Sequence, residues 1–482
     1  MHIHRRQFII GPPPINTIPG WVQVVISESV YLYHCPELPV TLVQDSDGQK
    51  FLILGFPIQT DAERPDPKIE IENSKEPYVI QDVYQTWAGR WVLIGRDQLH
   101  VDSSGLLGCF YHTRQNTKGE TELWVSSSIA LLIELLALHE KPTYSIHHAV
   151  GIDWYPPPGT SMNSILKLLP SQILELKSGA LLHRRLLPDI SRTLSYEDIL
   201  DRLQDYLVTT LCRATRMYNR IWLPLTAGYD SRLLLATAKR AGLPVYTYTH
   251  IHPHMSESDR VLPPKLANAV GFSHSMIYGK EYRKDLDAIY DKHTGGLCVG
   301  QDKYYISHQY FNWSQKGDLI LRGGCFEIGR CNYWYKFPGP GIISNVPGVD
   351  SILNGFKEEV NPALFGALAE WIDWTRQTQH QDLDWRDRFY LEQRLAGWLS
   401  FEEQSLDLID AEKFYIANSH YYFAHVLRVP EEKRCFSQHQ IDLIERMAPE
   451  LNKFPFNPVS TQQKVLRHLI IAAKYLRSRM RL

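Results

Sequence analysis

A short polar loop between an apolar segment and a Leu/Ala-rich segment limits the possible folds of this chain most. The sequence reads "IWLPLTAGYDSRLLLATAKRAG" from Ile221 to Gly242. This pattern predicts a buried strand, a tight loop from Thr226 to Ser231, and a helix from Ser231 to Ala241. The later segments "VYTYT", "SMIY" and "DLILRG" also alternate with helical patterns, which favours a parallel sheet covered by helices on both faces.

The loop itself is suited to bind an anion. Ligands of an open parallel sheet lie beyond the carboxyl ends of its strands. Gly228 permits a positive φ, and the small side chain of Ala227 does not obstruct the loop. Successive N–H groups can therefore face one concavity that favours phosphate. Thr226 and Ser231 add hydroxyls, and Asp230 offers a carboxylate for Mg²⁺. The same residues equally suit an ordinary strand–helix turn with a capping side chain.

The rest of the chain divides into a strand-rich part and a mixed part. A length of 482 residues predicts two or three domains. From about Val22 to Leu187 short alternating segments such as "VQVVIS", "FLILGF" and "RWVLIG" predict two or more sheets, with one helix near Ile129–Leu138. The pattern changes near Pro188, where Ser195 can cap a long helix. After about Asp382 the sequence has mostly helical patterns.

Composition excludes several classes of function. The 51 basic and 53 acidic residues give a net charge of -2, which argues against bulk electrostatic binding to nucleic acid or membranes. Seven scattered cysteines without CxxC spacing indicate a reduced chain with no zinc framework. The longest apolar run, "IALLIELLAL", is too short to span a bilayer, and the amino terminus lacks a signal-peptide pattern. We therefore expect a soluble, cytoplasmic protein.

Four blocks in order resemble a known family. "LTAGYDSRLLLA" resembles the Ser-Gly-Gly-x-Asp-Ser pyrophosphate loop of the asparagine synthetase class of ATP pyrophosphatases, and "SDRVLPPKLANAVGFSH", "DLILRGGCFEIGRCNYW" and "QQKVLRHLI" are similar to its later blocks. "WAGRWVLIGRDQLHVDSSGLLGCFYH" is similar to the preceding glutamine-amidotransferase domain. The resemblance implies an α/β protein. A strand-rich, N-terminal nucleophile-hydrolase-like sandwich would span residues 1–190, and a parallel-sheet ATP pyrophosphatase domain with a helical carboxyl-terminal part would span residues 191–482.

The resemblance also implies a set of site residues, with ATP and Mg²⁺ as cofactors. Asp230 and Glu327 would hold the metal. Glu327, Glu412 and Lys464 would take catalytic roles, Glu412 as the general base. The residues implied to contact ATP are Leu225, Thr226, Ala227, Gly228, Asp230, Ser231, Arg232, Gly323 and Gly324.

The sequence departs from the family at several positions. The family cleaves glutamine with an amino-terminal cysteine thiol, whereas His2 follows the first methionine here and the first cysteine is Cys35. We therefore expect no glutaminase activity, as in the β-lactam synthetases and lasso-peptide cyclases. Glu327 stands where relatives have an aspartate, and Gly324 where they have an acid or a tyrosine. The family's lysine after its Lys-x-Leu-Arg helix has no clear counterpart, although "KYLRSRMRL" offers basic residues that equally suit a solvated helix end.

These observations predict an amide ligase that forms AMP and pyrophosphate and joins a small-molecule or peptide carboxylate to an amine. No nucleic-acid or membrane partner is expected, and a homodimer or a partner protein both stay open. One alternative is an adenylating enzyme of nucleobases, against which the near-neutral charge counts. Another is a non-catalytic, nucleotide-binding partner subunit. The alternate histidines His250, His252 and His254 suit zinc less well than substrate contacts, since no fourth ligand is evident.

Overall fold

The computed structural model describes residues 3–13, 18–140, 151–190, 193–252, 255–279, 283–299, 303–311, 313–378 and 383–458. Two antiparallel sheets lie before residue 184, and one parallel sheet lies after residue 219. The protein therefore has a mixed α/β fold, with helices packed against the sheets.

Two six-stranded sheets form the amino-terminal part. Their strands are β1 (Phe8–Gly11), β2 (Val22–Ser27), β3 (Val30–His34), β4 (Val40–Gln44), β5 (Lys50–Gln59), β6 (Trp87–Gly95), β7 (Gln98–Val101), β8 (Phe110–Gln115), β9 (Thr121–Ser126), β10 (Leu166–Lys167), β11 (Gln172–Glu175) and β12 (Leu181–His183). The strand orders are β10-β8-β9-β1-β3-β2 and β12-β11-β7-β6-β5-β4, and all neighbours are antiparallel. The helices here are α1 (Pro67–Glu72), α2 (Ile80–Tyr84) and α3 (Ile129–Leu135).

Strand alternation decides which layer each side chain enters. On β6, Val92 and Ile94 belong to the apolar core that both sheets share, whereas Trp91 and Leu93 cluster with residues of α1 and α2. On the other sheet, Ile9 of β1 clusters with residues of α3. The amino-terminal part therefore has four layers in the order helix, sheet, sheet, helix.

The parallel sheet has five strands, and helices cover both of its faces. The strands are β13 (Arg220–Pro224), β14 (Tyr246–Ile251), β15 (His274–Tyr278), β16 (Asp318–Arg322) and β17 (Glu412–Tyr415), in the order β15-β14-β13-β16-β17. The helices between them begin with α4 (Tyr196–Thr215), α5 (Tyr229–Arg240), α6 (Glu257–Ala269), α7 (Asp287–Thr294) and α8 (Tyr305–Phe311). Ile221 and Leu223 pack with α4 and α5, whereas Trp222 packs on the opposite face beside Tyr310 of α8.

Helices dominate the chain after β16. They are α9 (Val349–Phe356), α10 (Pro362–Gln377), α11 (Trp385–Phe389), a π-helical segment (Tyr390–Leu399), α12 (Ser400–Ser405), α13 (His420–Val426), α14 (Glu431–Cys435) and α15 (Gln438–Met447). The expected helical character after about Asp382 overlooked β17. This strand has only four residues, too few to show an alternating pattern, and it forms because β16 offers a free edge for pairing.

The local sequence patterns correctly placed the other strands of the parallel sheet and the helix after Ser195. That serine accepts a hydrogen bond from the backbone N–H of Asp198, whose carboxylate accepts one in return from the Ser195 N–H, which is a capping box. The division at residue 190 stays a prediction. Polar contacts join the two parts of the chain, among them Arg90 with Asp407 at 2.9 Å. Within the described residues, every helix is too short or too polar to cross a bilayer.

Candidate active site

The order of the parallel strands creates a crevice at one edge of the sheet. From the central β13 the chain adds β14 and β15 on one side, and β16 and β17 on the other. Ligands of such sheets bind beyond the carboxyl ends of the strands, at the point where the order reverses. Here the loop that follows β13, from Leu225 to Gly228, faces the turn that follows β16, from Gly323 to Cys325. A Cβ atom added at Gly323 would lie 3.5 Å from Cβ of Asp230, so the turn meets the first turn of α5, directly after the β13 loop.

Hydroxyl and carboxylate oxygens accept hydrogen bonds from three successive N–H groups of the β13 loop. The Thr226 N–H donates to Oγ of Ser231 at 3.0 Å, and the Gly228 N–H donates to Oγ1 of Thr226 at 3.2 Å. The Ala227 N–H donates to Oδ1 of Asp259 on α6 at 2.8 Å. One of the three, the Ala227 N–H, therefore already binds a carboxylate oxygen, as it would bind an oxygen of another anion. Leu225 is buried at the strand end, where its N–H donates to the Tyr248 carbonyl.

The expected positive φ at Gly228 is wrong. Its φ is -80° and its ψ is -178°, an extended conformation at the amino-terminal cap of α5. A small residue is favoured there for a different reason. A Cβ atom would lie 3.3 Å from Oγ1 of Thr226 and 3.6 Å from Oδ1 of Asn457, so a side chain would crowd the loop.

Two carboxylates and one guanidinium lie beside the loop. Oδ1 of Asp230 accepts a hydrogen bond from the Gln440 side chain at 2.8 Å, and Oδ2 pairs with Arg330. Arg330 also lies 3.9 Å from Oε1 of Glu327. Burial and then the nearby charge of Asp230 raise the pKa of Glu327 to about 7, although a third of its side chain stays exposed. The two acids are therefore close enough to bind one cation together, and Arg330 now partly fills that role.

These donors fit Mg²⁺. Magnesium binds oxygen ligands, usually one or two carboxylates together with phosphate oxygens, and does not need a cage of protein groups. In the described part of the chain, no group of three or more His, Cys, Asp or Glu side chains could hold a metal. A site built on Asp230 and Glu327 would therefore depend on phosphate ligands, and Asp230 would have to exchange Arg330 for the metal.

Arg232 lies under the loop rather than beside its ligand face. The side chain is fully buried and donates to four carbonyl oxygens, those of Ala227, Leu451, Phe454 and Pro455, at 2.8–3.3 Å. Its guanidinium lies 3.8 Å from the ring centroid of Phe456, and burial lowers its pKa to about 10. The N–H of Asn457 donates to the Ala227 carbonyl at 3.1 Å. Arg232 thus fixes residues 451–457 as a wall of the site.

The other predicted residues are distributed unevenly. Gly324 lies at the crevice, where an added Cβ would approach Cε1 of Tyr415 to 2.6 Å. Glu412 lies at the amino end of β17, opposite Leu319, and Arg6 is 3.7 Å from its carboxylate. The structure therefore does not bring Glu412 together with the loop. Lys464 lies outside the described residues.

The histidines at the end of β14 have other surroundings. Nε2 of His250 accepts a hydrogen bond from the Trp313 indole at 2.9 Å, and burial lowers the pKa of His250 to about 4. The His252 ring lies 6.3 Å from that of Tyr305. His254 lies outside the described residues. Cys325 and Cys331 near Glu327 are both buried free thiols.

Sequence reasoning missed several residues of this site. Arg330 follows Glu327 by three positions, and an arginine in the turn after β16 was a usable signal. Gln440 and Asn457 gave no local signal, because both lie more than 200 residues from the loop that they contact. Only the tertiary fold brings them to the crevice.

The start of β1 holds a polar side chain rather than a thiol. The buried Gln7 amide donates to the His293 carbonyl at 2.9 Å, and Arg6 donates to the carbonyls of Ile409 and Asp410 at 2.9 and 3.2 Å. Residues 6 and 7 thus connect the first sheet to the mixed part of the chain.

No family model and no curated protein matches the sequence. Two solved structures that are similar to part of this chain are an NMN synthetase from Francisella tularensis and an NH3-dependent NAD synthetase from Campylobacter jejuni in complex with the nitrate ion. Both are 12% identical to it, and they cover 41% and 51% of this chain and 93% and 97% of their own. Their TM-scores of 0.22 and 0.21 are too low to support an inference about this chain.

Proposed function

We propose that this protein is an ATP-dependent amide ligase that forms AMP and pyrophosphate. A carboxylate attacks the α-phosphate of ATP, which gives an acyl-adenylate and releases pyrophosphate. An amine then attacks the activated carbonyl carbon, loses a proton and displaces AMP. The acid and the amine are small molecules or peptides. We expect a cytoplasmic reaction without nucleic-acid or membrane partners, carried out by a homodimer or with a partner protein.

The observation that carries this proposal is the meeting of two loops at the reversal point of the sheet. One loop provides the N–H groups of residues 226–228, and Asp230 lies in the helix that follows it. The other loop is small at Gly323 and provides Glu327. Backbone N–H groups beside paired carboxylates suit a polyphosphate with its metal, because each satisfies a different part of that ligand.

The residues of the loop have defined tasks in this reaction. The N–H of Ala227 exchanges the Asp259 carboxylate for a phosphate oxygen, and the hydroxyls of Thr226 and Ser231 donate to the same group. Asp230 and Glu327 would hold Mg²⁺, which when bound would neutralise charge on the pyrophosphate leaving group. Arg232 keeps the loop in place through the Ala227 carbonyl. Glu412, at the far end of β17, takes no step, and the role of Lys464 stays a prediction.

The amino-terminal part favours a reaction in which the amine belongs to the substrate and is not ammonia released from glutamine. Just before β1, Gln7 is an amide and Arg5 and Arg6 are guanidinium groups, which are not nucleophiles at neutral pH, and both ring nitrogens of His4 are in hydrogen bonds with Gln7 and Glu134. We therefore interpret residues 1–190 as a degenerate amidotransferase-like domain with a structural role.

A second function is favoured by one contact. Arg330 pairs with both Asp230 and Glu327, and a guanidinium in this position can replace a metal. A nucleotide-binding partner subunit without ligase activity would retain this pair and would not adenylate any acid.

ATP–pyrophosphate exchange separates the two functions. Purified protein is incubated with Mg²⁺, ATP, labelled pyrophosphate and pools of carboxylic acids, beside Asp230→Ala, Glu327→Ala and the exposed control Glu359→Gln. A ligase gives acid-dependent exchange that both site variants lose and the control retains. ATP binding without exchange for any acid or added protein supports the partner subunit. Failure to bind ATP would contradict both functions.

A further inference from the structure

A cavity of about 250 Å³ lies between the two parts of the chain. Asp153 and Trp154 come from the amino-terminal part, and the other walls come from the mixed part. Apolar side chains form most of the surface, among them Trp154, Leu297, Val299, Trp398 and Phe401. This volume is just below the range of roughly 300–1,000 Å³ typical of ligand pockets, so it suits a group the size of an amino-acid side chain.

Most charges at the cavity are already compensated. Asp153 pairs with Arg394 at 2.9 Å, and Lys303 pairs with Asp291 at 2.6 Å. The carboxylate of Glu402 lines the same cavity and makes no hydrogen bond or ion pair among the described residues. One acid without a counterion therefore faces an aromatic cavity, and placing an unpaired charge there costs free energy until a cation binds.

The cavity adjoins the candidate active site through α12 and the π-helical segment. Glu403, next to Glu402, binds Arg322 at 3.0 Å, and Arg322 immediately precedes Gly323. Leu399 lies on the other side of the same turn, 3.2 Å from the position of a Cβ atom at Gly324. A molecule in the cavity would thus lie beside the turn that follows β16.

We infer that this cavity binds a primary amine with an aromatic or branched apolar group, and that Glu402 is the counterion of its ammonium. The Trp154 and Trp398 side chains would contact the apolar group, which gains from leaving water. The assignment of this amine as the acceptor in amide formation rests on the proposed ligase function, whereas its binding does not.

The ionisation of Glu402 supports this assignment. Burial raises its pKa, the charges of Arg322 and Arg394 lower it and the charge of Glu403 raises it, and the net result is a pKa of about 7. Asp153 also raises the pKa, and Lys303, the remaining charged group of the cavity, is paired with Asp291. Ionised Glu402 binds an ammonium and neutral Glu402 does not. Amine affinity should therefore rise about tenfold between pH 6 and pH 8.

Calorimetric titration of the whole chain without ATP tests the cavity. The probe is 2-phenylethylamine, and 2-phenylethanol is its neutral match. We expect the amine to bind at least about tenfold more tightly than the alcohol, and Glu402→Gln to remove this preference. The variant Glu359→Gln, which changes an exposed glutamate, should keep it. Equal binding of amine and alcohol, a preference that survives Glu402→Gln, or no binding would overturn the inference.

The titration and the exchange assay can each overturn one hypothesis without affecting the other. Amine binding without acid-dependent pyrophosphate exchange would leave the cavity as an amine site and overturn the ligase function. Exchange without amine binding would leave adenylation intact and overturn the cavity as acceptor site. Thermal unfolding of Glu402→Gln, expected to match that of the wild type within a few degrees, shows that a loss of binding is not a loss of fold.

Discussion

Lys167 and Glu327 are ionisable groups in different regions whose pKa values have moved from opposite sides to about 7. Lys167 lies at the end of β10, fully buried, with Nζ donating to Oγ of Ser400 at 2.9 Å and 4.7 Å from the ring centroid of Phe110. Burial lowers its pKa. Burial and the charge of Asp230 raise that of Glu327, which remains a third exposed.

The difference between them shows what defines a site. No ligand can reach Lys167, and its hydroxyl partner and aromatic neighbours hold it in place. Glu327 can be reached, and it shares a cation with a second acid beside a row of N–H groups. A shifted pKa therefore indicates function only where several solvent-accessible polar groups face the same crevice.

The largest difference between the two regions should be in the rate of ATP–pyrophosphate exchange, measured in Asp230→Asn and Glu327→Gln beside Lys167→Met. Each of the first two variants removes a charge that would hold the metal at the leaving group, so we expect exchange to fall on the order of 10²- to 10³-fold. Lys167→Met should leave exchange within about twofold, because Lys167 contacts no substrate. Initial exchange rates at saturating ATP measure the effect. Equal losses in all three variants would mean that Lys167 and Glu327 do not differ in function.

Arg232→Met extends the comparison to a buried charge that contacts no ligand and holds the loop and residues 451–455 together through hydrogen bonds. Four carbonyl oxygens each lose a hydrogen bond, although those of Ala227 and Leu451 keep a backbone donor. We expect the free energy of unfolding to fall by about 3 kcal/mol. Arg232→Lys should recover only part of it, because an ammonium cannot reach all four oxygens. Urea denaturation measures the change. A Lys variant as stable as the wild type would show that charge, rather than the planar fork, holds residues 451–457.

Lys167→Met should change stability in a pH-dependent way. The folded pKa of about 7 lies below that of a free lysine, so the folded protein binds fewer protons than the unfolded chain between about pH 7 and pH 10. Wild-type stability then gains with pH across this window. Removal of the charge should stabilise the protein by about 2 kcal/mol at pH 6 and less at pH 9. A difference that is constant with pH would rule out a buried charged lysine.

The pH dependence of exchange is the smallest expected effect. Metal binding needs ionised Glu327, so exchange should increase about tenfold between pH 6 and pH 8. The raised pKa has the opposite consequence for folding, since the contribution of Glu327 to stability is present below about pH 4.5 and is lost as the pH rises through 7. Glu327→Gln should abolish that loss. An exchange rate that does not change between pH 6 and pH 8 in the wild type would mean that the pKa of Glu327 lies outside this range.

The sequence predicted the elements of the site that depend on local patterns. The strand, loop and helix around Thr226 follow from hydrophobic periodicity and small residues, and the next three strands follow from short apolar runs. The four residues of β17 carried too little pattern to be predicted. Glu412 was expected near the loop from the resemblance alone, and it lies at the far end of that strand.

The contacts between distant segments were not predictable. Asp259 lies in a block that was noted only for its resemblance to the family, and its hydrogen bond to the Ala227 N–H depends on how α6 packs. Arg232 was expected to face phosphate because of its charge and its place after the loop. The helix turns it inwards instead, where it donates to four carbonyls of residues 227 and 451–455.

The close approach of Tyr415 to Gly324 limits how this site can change over generations. Any residue larger than glycine at position 324 meets the tyrosine ring, so an acid or a second tyrosine there requires a smaller residue at 415 first or at the same time. Replacing Tyr415 alone would leave Arg322 without the hydroxyl that it now contacts at 3.3 Å. The two positions therefore constrain each other: the change at 415, which leaves Arg322 its contacts with Tyr310 and Glu403, has to come before or together with the change at 324.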